Sequence, residues 1–181
     1  PLLESSPNLK ILRQDGAGNG FFQFNTTIAP FGNKALRQAI AYAIDREALI
    51  EGAWGGLGTP GYMMTPRGWA YDPDLKPMQT DLAKSRAKLI EAGYPNGITI
   101  PMACTATGVY LNVCEVAQAL LSEVGIDTEL QIILNNVYFN RQTGFMATVG
   151  FGNRGWAVRV DPHTLLQFMG HSKGFHNLGA Y

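Results

Sequence analysis

The sequence predicts an α/β fold: a mixed sheet built around a βαβ unit and flanked by helices. Three observations carry that expectation. Ile98, Ile100, Met102 and Cys104 alternate with their neighbours, as do Ile126, Thr128, Leu130, Ile132 and Leu134, and a period of two marks a strand. Between them Val113, Val116, Ala117, Leu120 and Val124 form one face of a helix that stops at Gly125. A strand, a helix and a strand of these lengths make a βαβ unit with parallel strands and a right-handed crossover.

The other elements follow in chain order. Asn8 to Arg13 alternates and leads through the Gly-rich stretch 15–20 into Phe21–Asn25, which predicts two extended segments joined by a turn. From Asn33, Leu36, Ala39, Ile40, Ala43 and Ile44 recur at helical spacing, with Lys34, Arg37, Gln38 and Asp45 facing the other way. Asp45 then stands where its carboxylate accepts the free amides of a second helical piece, Arg46 to Ala53. Trp54 to Pro77 is a long irregular loop by its glycines and prolines, and it holds Trp54, Tyr62, Trp69 and Tyr71. Such loops are functional or packed by their own side chains, and the plainer expectation is that the aromatics staple the loop down. Thr80 to Ala92 reads as a helix with Asp81 in its first turn, Gly93 just past its end and Pro95 preventing continuation. Beyond the βαβ unit come a short helix at Asn136–Thr143, a short apolar strand at Met146–Phe151 and a loop at Asn153–Val160. A last helix runs through Met169, with Asp161 as its cap and Pro162 at its first position.

Composition limits the function classes. The 181 residues are 46% hydrophobic and 15% charged, which is globular and long enough to bury a core in one domain. Fourteen basic and fourteen acidic residues cancel, so neither a nucleic-acid footprint nor a polybasic membrane surface is expected. No apolar run approaches the ~20 residues that span a bilayer. The chain starts at Pro1 without a signal peptide, which reads as a processed or cut-out piece and leaves localisation open. Cys104 and Cys114 form no CxxC; either they pair in an oxidising compartment, or, the plainer reading, they are two buried apolar thiols.

The stretch Gly155-Trp156-Ala157-Val158-Arg159-Val160-Asp161-Pro162-His163 is the best candidate for chemistry. Trp156 offers a flat apolar face, and Arg159 offers a planar fork that grips a carboxylate bidentately. The plain alternative for Arg159 is a surface cation paired with Asp161. Asp161, His163, His171 and His176 match no zinc spacing, so no metal is expected and the histidines read as surface residues. Gly16–Gly20 lacks the Lys-Ser/Thr and the following helix of a phosphate loop. The serines include no G-x-S-x-G elbow. An enzyme acting through Asp161 and His163 is disfavoured, because a helix cap and first turn already explain that window. Binding without catalysis, and without a cofactor, is the expectation.

Several stretches resemble a known family in order. They are Phe24-Asn25-Thr26-Thr27, Pro30-Phe31, Leu36 through Arg46 (LRQAIAYAIDR), Gly58–Gly61, Asp81 through Ala83, Leu89 through Gly97 (LIEAGYPNG), and Leu121 through Leu130. Together they resemble the family 5 extracellular solute-binding proteins, the peptide, opine, glutathione and nickel receptors of bacterial ABC importers. The resemblance runs from about Leu9 to the end.

The resemblance implies one lobe of a type II periplasmic-binding-protein fold, with residues 1–181 a single partial domain, the second lobe of a two-lobed receptor whose first lobe is absent. It implies capture of a peptide-like, opine-like or other carboxylate-bearing solute, delivery to ABC permease subunits, and a periplasmic or lipid-anchored cell-surface location for the whole protein. A cytoplasmic ligand-sensing domain of a transcriptional regulator, built on the same lobe, is the alternative. Trp156 matches the family's ligand-facing Trp. Peptide receptors resemble one another in an Asp three residues later, where this chain has Arg159, so a carboxylate rather than an ammonium is expected there. Asn153 and Arg154, just before that stretch, complete the expected ligand-binding set of Trp156, Arg159, Asn153 and Arg154.

Overall fold

In a computed structural model the described residues are 8–12, 18–61, 69, 72, 74–75, 78–140, 144–157, 162–174 and 177. Among them run strands β1 (Gly18–Phe24), β2 (Ile98–Thr105), β3 (Ile126–Ile133) and β4 (Phe151–Ala157). The helices are α1 (Lys34–Ala43), α2 (Arg46–Trp54), α3 (Leu82–Glu91), α4 (Gly108–Ser122), α5 (Asn135–Tyr138), α6 (Phe145–Thr148) and α7 (Pro162–Leu165), the last followed by a π-helical turn at Leu166–Gly170. The sheet order is β1-β4-β2-β3. β2 is parallel to β3 and to β4, and β1 is antiparallel to β4, so the sheet is mixed as expected.

The sheet consists of two well-zipped ribbons. β2 and β3 stay in register from Ile98↔Ile126 to Thr105↔Ile133, and β1 and β4 from Gly18↔Ala157 to Phe24↔Phe151. Between the ribbons the described ladder has a single register pair, Ala103↔Gly152.

Alternation sorts the side chains onto two faces. Ile100, Met102, Cys104, Ile126 and Phe151 point into the main core, with Leu36, Ala39, Ile40 and Ala43 of α1 and Cys114, Ala117 and Leu121 of α4. Phe151 stacks on Phe24 at 4.8 Å between centroids and lies 5.6 Å from Phe31. Burying each such ring or branched chain contributes about 1.5–3 kcal/mol. Helix α3 packs on α1, and α2 on α4. The second face is covered by α5 and α6, where Ala103, Tyr138, Phe145, Met146 and Val149 make a smaller core.

Local rules account for the helix starts. Asn33 Oδ1 accepts the amides of Ala35 and Leu36, Asp45 Oδ1 that of Ala48 at 2.9 Å, and Asp81 Oδ1 that of Lys84 at 2.9 Å. Each satisfies donors that the helix itself leaves open. Asp81 is therefore the cap of α3 rather than a first-turn residue, and Lys84 holds its carboxylate below its ordinary value, chiefly through the Lys84 backbone amide. Gly125, at φ 87° after α4, turns the chain into β3.

Several expectations need correction. Residues 8–12 form no strand, and residue 13 lies outside the described set. The buried seam of α4 uses Cys114 and Leu121, while Val116 and Leu120 are only half-buried, Val116 on the side that meets Gly52 of α2. Met146–Thr148 is helical, and the strand starts at Phe151 and continues through Ala157. The loop expected at Asn153–Val160 is thus a strand for its first five residues, paired to β1. Short-range pattern missed it, since Gly152 and Gly155 break the alternation. Trp54 and Trp69 are 43% and 79% exposed and do not staple their loop; Tyr62 and Tyr71 lie outside the described residues.

Cys104 and Cys114 are joined as a disulfide, with both residues fully buried between β2 and α4. The plainer reading, two apolar thiols, is overturned. The bridge closes a loop of sequence separation 10, for which the chain-entropy account gives about 2–3 kcal/mol. The double substitution Cys104→Ala/Cys114→Ala is expected to lower unfolding stability by at least that amount in denaturant titration. An unchanged midpoint and slope would contradict it.

Candidate functional site

Because β2, β3 and β4 run parallel, their C-terminal ends, Thr105, Ile133 and Ala157, emerge at one edge of the sheet. From β2 the chain moves through α4 to β3 on one side, and it returns through α5 and α6 to β4 on the other. The β2/β4 boundary is therefore a topological switch point, and open α/β sheets bind ligands in the crevice outside the strand C-termini at such points. The candidate site is the edge formed by the end of β4, the 105–108 connection and the start of α4.

Three polar contacts tie this edge together. The buried Tyr138 hydroxyl, on α5, donates to the backbone carbonyl of Asn153 at 2.6 Å and lies 3.1 Å from that of Ala103, so it reaches both ribbons. The Asn153 side-chain amide donates to the Tyr110 carbonyl on α4 at 2.8 Å. The Thr105 and Thr107 hydroxyls are hydrogen-bonded at 2.7 Å. Tyr138 is also stacked on Phe145 at 4.2 Å. Its burial pushes the phenol well above the ordinary tyrosine range, against a smaller opposing effect of the Arg154 charge.

Two glycines make the contacts possible. A Cβ at Gly152 would lie 2.7 Å from Tyr138 Oη and 2.8 Å from the Ala103 carbonyl oxygen. A Cβ at Gly155 would meet the Tyr110 hydroxyl and lie 3.2 Å from its ring carbons Cε1 and Cζ. Strand glycines of this kind mark close approach by other groups.

The four expected ligand-binding residues divide among these surroundings. Asn153 is 3% and Arg154 2% exposed. Arg154 Nη1 donates to Gln23 Oε1 at 3.0 Å, and its guanidinium lies 5.5 Å from the Phe139 ring centroid. Burial lowers the affinity of Arg154 for its proton, and the nearby Tyr138 opposes this. In this structure both side chains are held by protein groups. Trp156 is paired in the ladder to Asn19, three residues beyond Asn153. Arg159 and Asp161 lie outside the described residues, as does His176; His163 and His171 are exposed. Among the described residues no cluster of metal-ligating side chains is present, and no helix is long and apolar enough to cross a membrane. The reading from sequence overlooked Tyr110, Tyr138 and Gln23. The signal available for the first two was the pair of glycines inside the strand.

Comparison with known proteins gives one consistent answer. The family model described as bacterial extracellular solute-binding proteins, family 5 Middle, matches residues 1–177. Heme-binding protein A of Haemophilus influenzae is 38% identical over 96 residues, 52% of this chain and 18% of that protein. Glutathione-binding protein GsiB of Escherichia coli is 33% identical over 130 residues, 71% of this chain and 25% of that protein. The solved structure of the ABC transporter-associated periplasmic binding protein DppA from Helicobacter pylori, in complex with the peptide STSA, superposes with a TM-score of 0.87. It is 26% identical, and the match covers 99% of this chain and 36% of that one. The chain thus spans well under half the length of each relative.

The glycine contacts lead to a paired comparison. Gly152→Ala is expected to destabilise by roughly 1–3 kcal/mol through forced overpacking, while Gly20→Ala in β1, where nothing lies within 4 Å, stays within about 0.5 kcal/mol. Equal effects in thermal unfolding would contradict the tight seam. Tyr138 adds a pH signature. Its folded pKa lies above its unfolded value of about 10, so its contribution is complete below that value and is lost as pH rises above it. The melting temperature should fall more steeply between pH 9.5 and 11 in the natural protein than in Tyr138→Phe. Parallel curves would refute this.

Proposed function

The chain belongs to family 5 of the bacterial extracellular solute-binding proteins and has the α/β architecture of type II periplasmic binding proteins; from that premise we propose that it is one lobe of a receptor that captures a peptide-like, carboxylate-bearing solute and delivers it to the permease of an ABC importer. Residues 1–181 form one wall of the cleft, and a further lobe of the same protein supplies the other. Two-lobed receptors of this kind close about a hinge, so the solute is held by both walls.

The observation that carries the reading is the placement of β4. Its C-terminal half stands at the switch-point edge, and Trp156 sits in that half, paired to Asn19. Arg159 lies three residues further along the sequence. In the proposal Trp156 stacks on an apolar part of the solute and Arg159 clamps a carboxylate through its bidentate fork. Asn153 and Arg154, both buried, shape the wall. Relatives named for glutathione and for a bound peptide fit a carboxylate-bearing, peptide-like solute. The buried Cys104–Cys114 disulfide fits an oxidising compartment outside the cytoplasm, which favours the receptor over a cytoplasmic sensor. A periplasmic or lipid-anchored cell-surface location of the whole protein belongs to the same proposal.

The test uses the full-length protein. Mass spectrometry identifies solute carried through purification, and calorimetry measures binding of reduced glutathione, a tetrapeptide and the same tetrapeptide with an amidated C-terminus. Arg159→Ala is expected to weaken carboxylate-bearing solutes by about tenfold or more, as loss of a charge-assisted hydrogen bond does. It should spare the amidated peptide if the clamp takes the C-terminal carboxylate. Unchanged affinity for every carboxylate-bearing solute would sink the role of Arg159.

A further inference from the structure

Resting on the solute-capture role proposed above, we infer that Tyr110 is a solute-contacting residue that determines specificity, and that Asn153 is its positioning residue rather than a solute contact. Tyr110 stands in the first turn of α4, at the C-terminal edge of β2 and beside β4. Its surroundings hold it from two sides. Its carbonyl accepts the amide of the buried Asn153, and the hydroxyl end of its ring lies over the bare backbone of Gly155, where any side chain would collide with it. Asn153 is fixed in turn, because the Tyr138 hydroxyl donates to its carbonyl.

The outer end of this chain of contacts is open. Tyr110 is half-buried, and its hydroxyl makes no hydrogen bond to the described residues. A phenol whose backbone and ring are both held, and whose hydroxyl is unengaged, presents a rigid amphipathic surface of the kind binding sites favour. It adjoins the residue that precedes Trp156. Its hydroxyl can donate to a carbonyl or carboxylate oxygen of the solute, and its ring can pack on an aliphatic or planar part. The partially exposed Tyr110 therefore makes the contact, whereas Asn153 is buried and its amide is already engaged.

The experiment titrates full-length protein with reduced glutathione and with a tetrapeptide by calorimetry, with a melting curve for each variant. Tyr110→Phe removes one oxygen and keeps the ring. It is expected to weaken binding about tenfold with the melting temperature unchanged. Asn153→Ala is expected to weaken binding in the natural background and to add nothing in a Tyr110→Ala background, since the two act as one unit. If the natural protein binds while Tyr110→Phe and Tyr110→Ala bind equally well, this inference falls and the solute-capture role stands. An equal loss from Asn153→Ala in both backgrounds overturns the positioning role of Asn153. If the natural protein binds neither probe and carries no solute through purification, the capture role fails and this inference fails with it.

Discussion

The seam between β2 and β4 is the constraint on which the rest of the molecule depends. Each ribbon on either side is held by a full ladder, but the ribbons meet through the one described pair, Ala103↔Gly152. Backbone hydrogen bonding alone would leave them loosely joined. The join is made instead by side chains from segments that follow or precede the strands. The Tyr138 hydroxyl reaches carbonyls of both strands, Phe145 stacks beneath it, and Asn25 at the end of β1 donates to the Met146 carbonyl at 2.7 Å. Gly152 is required because the space above it is already occupied by Tyr138, Ala103 and Phe145.

A seam of that kind couples stability to function. The groups that close it lie just inside the edge where solute is proposed to bind. A buried hydroxyl and a buried amide are costly unless paired, and here each is paired to a backbone carbonyl. The pairing fixes relative positions that apolar contacts alone would leave adjustable. The disulfide adds a second tie, joining β2 to α4 on the opposite face. Helix α4 is thus anchored covalently to one strand through Cys114 and, at its start, by Asn153 to the other. In the proposed role, a wall built this way is preformed, so less ordering would remain to be done on binding.

Much of the fold was legible in the residues. The βαβ unit, the cap at Asp45 and the turn at Gly125 rest on short-range chemistry, and each was readable because the decisive groups lie within a few positions of one another. β4 was not legible in this way. Its run FGNRGWA lacks alternation, since two of its positions are glycines that make room for tyrosines 14 and 45 residues away, and one is an arginine buried against β1 and α5. The disulfide was left open for a similar reason: spacing says that two cysteines can meet, and only packing brings them together.

The sequence by itself determined the α/β class, the family and the parallel unit at the centre, because periodicity and caps are local and survive without knowledge of the neighbours. It also marked the Gly155–His163 stretch as the place to look. Only the tertiary structure decided that Asn153 and Arg154 face protein groups rather than solvent, that Tyr138 and Asn153 brace the seam, and that Tyr110 stands at the edge with its hydroxyl unengaged. Those assignments depend on which distant segments share a strand boundary. That is settled by sheet order and by the burial of polar groups that must find partners, and neither is written in any single stretch of the chain.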